Sequence, residues 1–202
     1  NYNLPDEALL KSPNIPDVLV WQPDDIYLVL GRSNTAEHSI HLERAQADGV
    51  VVLKRPSGGE TVLLTPATLV IACTCRLHAF IKPSQFFAWC NRVVISCLQS
   101  YGIEHLSQKG ISDVSFGEQK LLGSAMFKAP DRLFYHAVLN VSELPGTIAW
   151  YISHPSREPD YRKGRPHTDF ITSLSAITNL PSIHQITADL LSAFQKQLYQ
   201  LQ

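Results

Sequence analysis

Lys54-Arg55-Pro56-Ser57-Gly58-Gly59-Glu60-Thr61-Val62 follows directly on the apolar run Val50-Val51-Val52-Leu53, placing a cation and a flexible Gly-Gly turn at the end of a buried strand. Its counterpart downstream is Gly117-Glu118-Gln119-Lys120-Leu121-Leu122-Gly123-Ser124-Ala125, a strand-like segment with a lysine three residues before a glycine. An arginine, backbone without side chains and a strand lysine are suited to holding a carboxylate beside a phosphate: the guanidinium fork matches such oxyanions, and adjacent glycines let a ligand lie against backbone N–H groups. Each element also has a plain structural reading. Arg55 alone is a solvated strand end, Gly58-Gly59 a hairpin turn and Lys120 an exposed edge lysine.

Outward from these stretches the pattern is mixed. Ile26 to Leu30 and Thr68 to Cys75 read as buried strands, the second of them central. Ala36 to Ala47 reads as a short helix stopped near Gly49. Pro83-Ser84 opens a longer helix, with Phe87, Cys90, Val94, Cys97, Leu98 and Tyr101 on one face and Gly102 at its end. From Asp113 to Val141 the pattern becomes a meander, turning at Gly117-Glu118 and at Pro130-Asp131-Arg132. Ser153 to Thr168 is a loop rich in charge and proline. A last helix begins at Ser182, which with Gln185 forms a capping-box signature, and Ile186, Leu190, Phe194 and Leu198 repeat at i+4. Residues 1 to 25 hold four of the thirteen prolines and read as an irregular lead-in. The expected class is α+β, a mostly antiparallel or mixed sheet packed with helices in a single domain over 1–202.

The composition excludes several functions. A net charge of −1 gives no broad attraction to nucleic acid or an anionic membrane. No apolar run approaches the ~18 residues that span a bilayer. The four cysteines, Cys73, Cys75, Cys90 and Cys97, contain no Cys-x-x-Cys pair and read as buried reduced thiols, with no metal site. The chain begins at Asn1 and its single methionine is Met126, so the natural start and any targeting segment are expected to lie outside it.

As an ordered set, these motifs resemble the lipoate–protein ligase and lipoyl/octanoyl transferase family, whose catalytic domain is shared with biotin ligases. The matching elements are Leu30-Gly31-Arg32-Ser33-Asn34, Arg55-Pro56-Ser57-Gly58-Gly59, Ser112-Asp113-Val114, Lys120-Leu121-Leu122-Gly123-Ser124-Ala125 and Tyr135-His136-Ala137-Val138-Leu139. The resemblance spans roughly residues 26 to 175 and implies a biotin/lipoate ligase catalytic-domain fold. It implies that Lys120 is the catalytic cation, beside the acyl carbonyl and the α-phosphate, stabilising developing charge. By the same resemblance Arg55, Ser57, Gly58, Gly59, Gly123, Ser124, Ala125 and His136 bind substrate, while Asp113 attends the nucleotide; Arg165, in the densest basic stretch Arg162 to His167, reads either as part of a solvated loop or as part of a lid closing over phosphate. The expected reaction uses ATP and Mg2+ to activate lipoate as lipoyl-AMP. The lipoyl group then passes to a lysine of an acceptor lipoyl domain, in 2-oxoacid dehydrogenase or glycine cleavage proteins.

Three departures bear on that reading. Glu60 stands where many ligases have a third glycine. His105 to Ile111 lacks the cysteine nucleophile that some transferase branches carry there, and no cysteine follows Cys97, which leaves a thioester route without its nucleophile. The smaller C-terminal domain that assists adenylate formation in many ligases has no counterpart before residue 202, so either an accessory polypeptide is expected to supply that part or the domain works differently. The alternatives are a transferase using a preformed acyl donor, or a non-catalytic module binding lipoate or lipoyl-AMP. Biotin ligases fit poorly, since their basic, glycine-interleaved run ends in tryptophan. The expected compartment is cytoplasmic, or mitochondrial in a eukaryote.

Overall fold

The computed structural model describes residues 2–79 and 82–200. Its strands are β1 (Asp17–Trp21), β2 (Tyr27–Leu30), β3 (Val51–Lys54), β4 (Val62–Leu64), β5 (Thr68–Arg76), β6 (Leu106–Lys109), β7 (Asp113–Phe116), β8 (Gln119–Lys128) and β9 (Arg132–Asn140). Six of them form an antiparallel sheet in the order β1-β5-β9-β8-β7-β6. The other three form a small sheet, β3-β2-β4, with β2 parallel to β3 and antiparallel to β4. The helices are α1 (Glu7–Lys11), α2 (Ala36–Ser39), α3 (Leu42–Ala47), α4 (Pro83–Gln99), α5 (Pro145–Tyr151), α6 (His167–Phe170), α7 (Leu174–Ile177) and α8 (Ile183–Tyr199). The protein is α+β with a mostly antiparallel sheet, as its sequence predicts.

Strand alternation sorts the side chains into layers. Leu69, Ile71, Cys73 and Cys75 of β5 and Leu133, Tyr135, Ala137 and Leu139 of β9 face the long helices α4 and α8, forming the main core with Phe86, Val94, Leu190 and Phe194. The intervening residues face the other way. Val70 packs with Val29, Leu53 and Leu64 of the small sheet, and Ala72 and Phe134 pack with Leu9 of α1. The outer face of the small sheet is covered from α3 and α5, through Ala45, Tyr151 and Ile152 on Leu28, Leu30 and Leu63. His136, Val138 and Asn140 of β9 thus project into the space between the two sheets.

The local signals acted largely as expected. Pro83 occupies the first turn of α4, where its missing N–H is harmless, and the Gln85 side chain accepts the Lys82 N–H at 3.0 Å. Ser182 accepts the Gln185 N–H at 3.2 Å, but the Gln185 amide donates to Asp189 and leaves the capping box half made. Gly117 takes φ +55° in a two-residue turn between Phe116 and Gln119. The predicted helix over 36–47 is split at Ile40, which bridges to Ile152. The lead-in is more regular than predicted: it contains α1 and the edge strand β1, because its prolines fall outside both elements. Leu106–Lys109 adds a second edge strand that the sequence reading lacks.

Candidate functional site

Two cavities lie on the inter-sheet side, one of about 820 Å³ and one of about 390 Å³. Asn34, Glu60, Thr61, Lys120, Gly123 and Arg157 line both, so the two volumes share a wall. The larger one has an apolar flank of Val29, Leu64, Val70, Ala125 and Val138, with Tyr2 and His136 beside it. The smaller one combines Leu63, Ile152, Phe170 and Ile171 with the polar His38, Asn140 and His167.

The loop after β3 is built around Arg55. The guanidinium is 4% exposed and directs its donors inward: Nε to Ser57 Oγ at 3.0 Å, Nη1 to the Val29 carbonyl at 3.0 Å, and Nη2 to the Gly58 and Glu60 carbonyls at 2.9 and 2.7 Å. Burial pushes its pKa down to about 10, which leaves it charged at neutral pH. With those carbonyls turned toward Arg55, the N–H groups of Gly58, Gly59 and Glu60 meet no acceptor among the described residues. Gly59 is at φ +87°, where glycine is favoured, and its carbonyl lies against Gly31, leaving no room for a Cβ there. Arg55 therefore shapes the loop, and Gly59 and Glu60, whose N–H groups are uncommitted among the described residues, line the larger cavity.

Lys120 reaches the cavity through a β-bulge. Val114 of β7 pairs with Leu122, yet Ser115 pairs with Lys120, which makes Leu121 the extra residue. Strict alternation would send Lys120 and Gly123 to opposite faces; the bulge brings both to the cavity side. Lys120 Nζ lies 2.9 Å from Asp113 Oδ1, and Asp113 Oδ2 accepts the Tyr161 hydroxyl at 2.9 Å. Burial first, and then Asp113, pushes the Tyr161 phenol far above its ordinary pKa, so it remains a donor. Ser124 Oγ donates to the Ser112 carbonyl at 2.6 Å and ties down the segment that carries Asp113.

The predicted residues do not all meet. Arg55, Gly59, Asp113, Lys120, Gly123, Ser124, Ala125 and His136 line the larger cavity. Ser57 and Gly58 lie behind its wall, and Arg165 lines neither volume. Arg165 donates to the carbonyls of Arg162, Glu118 and Tyr161 and stacks 5.3 Å over Phe170. Arg162 is equally committed, to the Arg165 carbonyl, His154 and Glu158. Arg157, from the same loop, is exposed, lines both cavities and makes no hydrogen bond or ion pair among the described residues. The sequence reading missed it, although it did mark that loop. His167, which lines the smaller cavity, has its pKa lowered to about 4 by burial and then by Arg162.

The thiols lie away from this chemistry. Cys73 and Cys90 are buried with sulfurs 3.7 Å apart, and burial pushes Cys75 up to about 12 and Cys97 up to about 11. No cysteine lines either cavity. Among the described residues no helix is long and apolar enough to cross a membrane.

Residues 2–195 match the family model for the lipoyl protein ligase A/B catalytic domain. Lipoate-protein ligase A of Psychrobacter cryohalolentis is 25% identical over 158 residues, covering 76% of this chain and 44% of the relative. An Aeropyrum pernix relative of the same kind is 26% identical over 147 residues, covering 71% and 54%. The chain thus spans about half the length of the curated relatives it matches. In fold it is similar to a T. acidophilum protein solved with bound lipoic acid (TM-score 0.81, 17% identity, 96% of this chain and 78% of that one). It is similarly close to the bi-partite lipoate protein ligase of Thermoplasma acidophilum, described with its E2 lipoyl domain (0.81, 18%, 96% and 76%). A lipoate-protein ligase A bound with ATP gives 0.80 at 18% identity, with 96% and 78% covered.

Proposed function

The chain belongs to the lipoyl protein ligase A/B catalytic-domain family, and from that premise we propose that it activates lipoate as lipoyl-AMP and transfers the lipoyl group to a lysine of an acceptor lipoyl domain. One observation carries the reading: an apolar-flanked cavity and a mixed polar-apolar cavity share a wall at Lys120 and Gly123. A molecule with a hydrocarbon arm, a charged acyl-phosphate centre and a heteroaromatic base needs that division. The arm would lie along Val29, Leu64, Val70 and Ala125, and the base against Leu63, Phe170 and Ile171.

In the first step a carboxylate oxygen of lipoate bonds to the α-phosphorus of ATP and pyrophosphate leaves with the bond electrons. In the second the neutral acceptor amine attacks the acyl carbon, the acyl C–O bond breaks with AMP taking its electrons, and the amine's proton passes to solvent or to the departing phosphate. Activation is needed because an oxide ion is not expelled from a free carboxylate, whereas AMP is a competent leaving group. Lys120, aimed by Asp113, stabilises the charge that grows on the shared oxygens in both steps, and the Gly59 and Glu60 N–H groups do so without reorganising. Arg157, which makes no hydrogen bond or ion pair among the described residues, supplies a cation that can follow the phosphates. Among the described residues no three His, Cys, Asp or Glu side chains group to hold a metal. A magnesium ion would come with the nucleotide phosphates, where Glu60, Asp113, Glu158 and Asp160 are the acidic residues lining the larger cavity, and it would neutralise phosphate charge. The likeness to a bi-partite ligase supports a second polypeptide as partner in adenylate formation.

Incubation with lipoyl-AMP and an apo lipoyl domain, read by intact mass, should give one lipoyl increment on the acceptor, and ATP with lipoate should give it once the second polypeptide is supplied. An increment from an acyl-thioester donor but not from lipoyl-AMP would favour a transferase. Glu60 supports a second reading, since its carboxylate, held by Asn34 Nδ2 at 3.3 Å, faces the region assigned to phosphate. Binding of lipoyl-AMP with no transfer at all would establish that binding-module reading.

A further inference from the structure

Asp6 is fully buried at the start of α1, far from any role in the scheme above. Both its oxygens accept the Tyr2 hydroxyl, at 2.7 and 2.8 Å, and Oδ2 lies 3.1 Å from His136 Nδ1. His136 Nε2 lies 2.6 Å from Ser57 Oγ, which in turn accepts Arg55 Nε–H. The line runs from the amino-terminal segment, through β9, to the Gly-Gly loop.

We propose that Asp6 is a positioning residue that sets the geometry of the Ser57-Gly58-Gly59 loop through His136. The chemistry allows one direction for the protons. Arg55 can only donate, so the Ser57 oxygen accepts at that end. Burial, with the Arg55 charge, pushes the His136 pKa down against the opposing pull of Asp6, which favours the neutral ring with a single N–H. A carboxylate accepts only, so that N–H sits on Nδ1 toward Asp6, and Nε2 is left as a bare acceptor for the Ser57 hydroxyl. The Ser57 lone pairs then face Arg55, whose other donors hold the Gly58 and Glu60 carbonyls. Asp6 and Arg55 close the line with opposite charges. The order serine, histidine, carboxylate is that of a nucleophile triad, but Ser57 is 1% exposed and lines neither cavity, so its hydroxyl is a link and not an attacking group.

This rests on the adenylate-binding reading, and the test separates the two. Long-range 15N–1H correlation on the ligand-free protein, with H136Q to assign the signals, should show His136 as the Nδ1–H tautomer. D6A should move the proton to Nε2 and weaken lipoyl-AMP binding by about 10- to 100-fold, the scale of one charge-assisted hydrogen bond, with kcat changed less than KM. D6N, which keeps an oxygen for Nδ1–H, should retain the tautomer and recover most of the affinity, as should Y2F. If D6A does not fold, D6N and Y2F decide the question: loss of the Nδ1–H tautomer in both the native protein and D6N would overturn the assignment. Unchanged lipoyl-AMP affinity in a folded D6A would also refute it. Absence of adenylate binding by the native protein would instead sink the functional reading, while leaving the tautomer result standing.

Discussion

Gly123 lies directly beneath the Lys120 side chain: a Cβ at position 123 would stand 2.7 Å from both Cε and Nζ. The lysine crosses that gap to reach Asp113, so the missing side chain at 123 is what lets the ion pair form on the cavity wall. G123A should therefore displace a flexible cation without disturbing backbone. We expect melting within a few degrees of the native protein, with acyl transfer lowered about 10- to 100-fold by the misplaced charge. K120A, which removes the charge altogether, should cost about 10²- to 10³-fold with the fold intact. Equal activity of G123A and the native protein would show that the Lys120 position is unimportant.

Gly31 presents the opposite case. The atom a Cβ there would strike is the Gly59 carbonyl oxygen, part of a backbone pinned by Arg32 N to Ser57 O at 2.9 Å and Arg55 N to Leu30 O at 3.0 Å. Relief requires the two loops to separate. G31A should lose about 1–3 kcal/mol in urea denaturation, the range for overpacking a rigid site. G58A, where nothing lies within 4 Å of the added carbon, is the control and should stay within about 0.5 kcal/mol.

His167 makes stability depend on pH. Unfolded, it takes a proton below its ordinary value near 6.5; folded, it resists until about 4. Between those values the unfolded chain binds more protons, so acidification favours unfolding. The contribution is fully present above pH 6.5 and lost as pH falls toward 4. His136, also lowered by burial, acts with the same sign. Urea midpoints should be flat above pH 7 and fall below it, and H167Q should lose part of that slope, about 2 kcal/mol over the window after discounting for residual solvation. A variant with the native slope would assign the acid sensitivity elsewhere.

Much of this architecture was legible from local chemistry. Pro83 at the head of α4, Ser182 at the head of α8 and glycine at Gly117 are signals that act over a few residues, and each appears where it was read. What escaped depends on partners distant in sequence. β1 and β6 are short edge strands, whose pairing with β5 and β7 no alternation pattern of four or five residues announces. The bulge at Leu121 exists only in the pairing of β7 with β8, yet it is what turns Lys120 inward. The orientation of an arginine is likewise invisible in sequence: Arg55 reads as a solvated strand end or as a ligand-binding cation, and four of its five N–H donors are instead taken by protein acceptors.

The same limit separates two arginines eight residues apart. Arg165 sits in the densest basic stretch and drew the phosphate assignment, but its guanidinium is held by three carbonyls and by the face of Phe170. Arg157 has no such commitments and borders both cavities. An arginine bound by protein has few donors left for a ligand, and removing Arg165 takes a partner from the part-buried Arg162 and Tyr161 carbonyls. R165A should therefore reduce stability by about 1–3 kcal/mol, with a smaller effect on adenylate affinity per folded molecule. R157A should leave the urea midpoint unchanged and weaken lipoyl-AMP binding about 10-fold or more, through a lost charge-assisted contact to phosphate. R157K should restore only part of that affinity, since a point charge replaces the two-pronged fork. Calorimetric titration of the three variants with lipoyl-AMP, beside their denaturation curves, tests the division. If R165A loses affinity at native stability while R157A binds normally, the phosphate contact belongs to Arg165 after all.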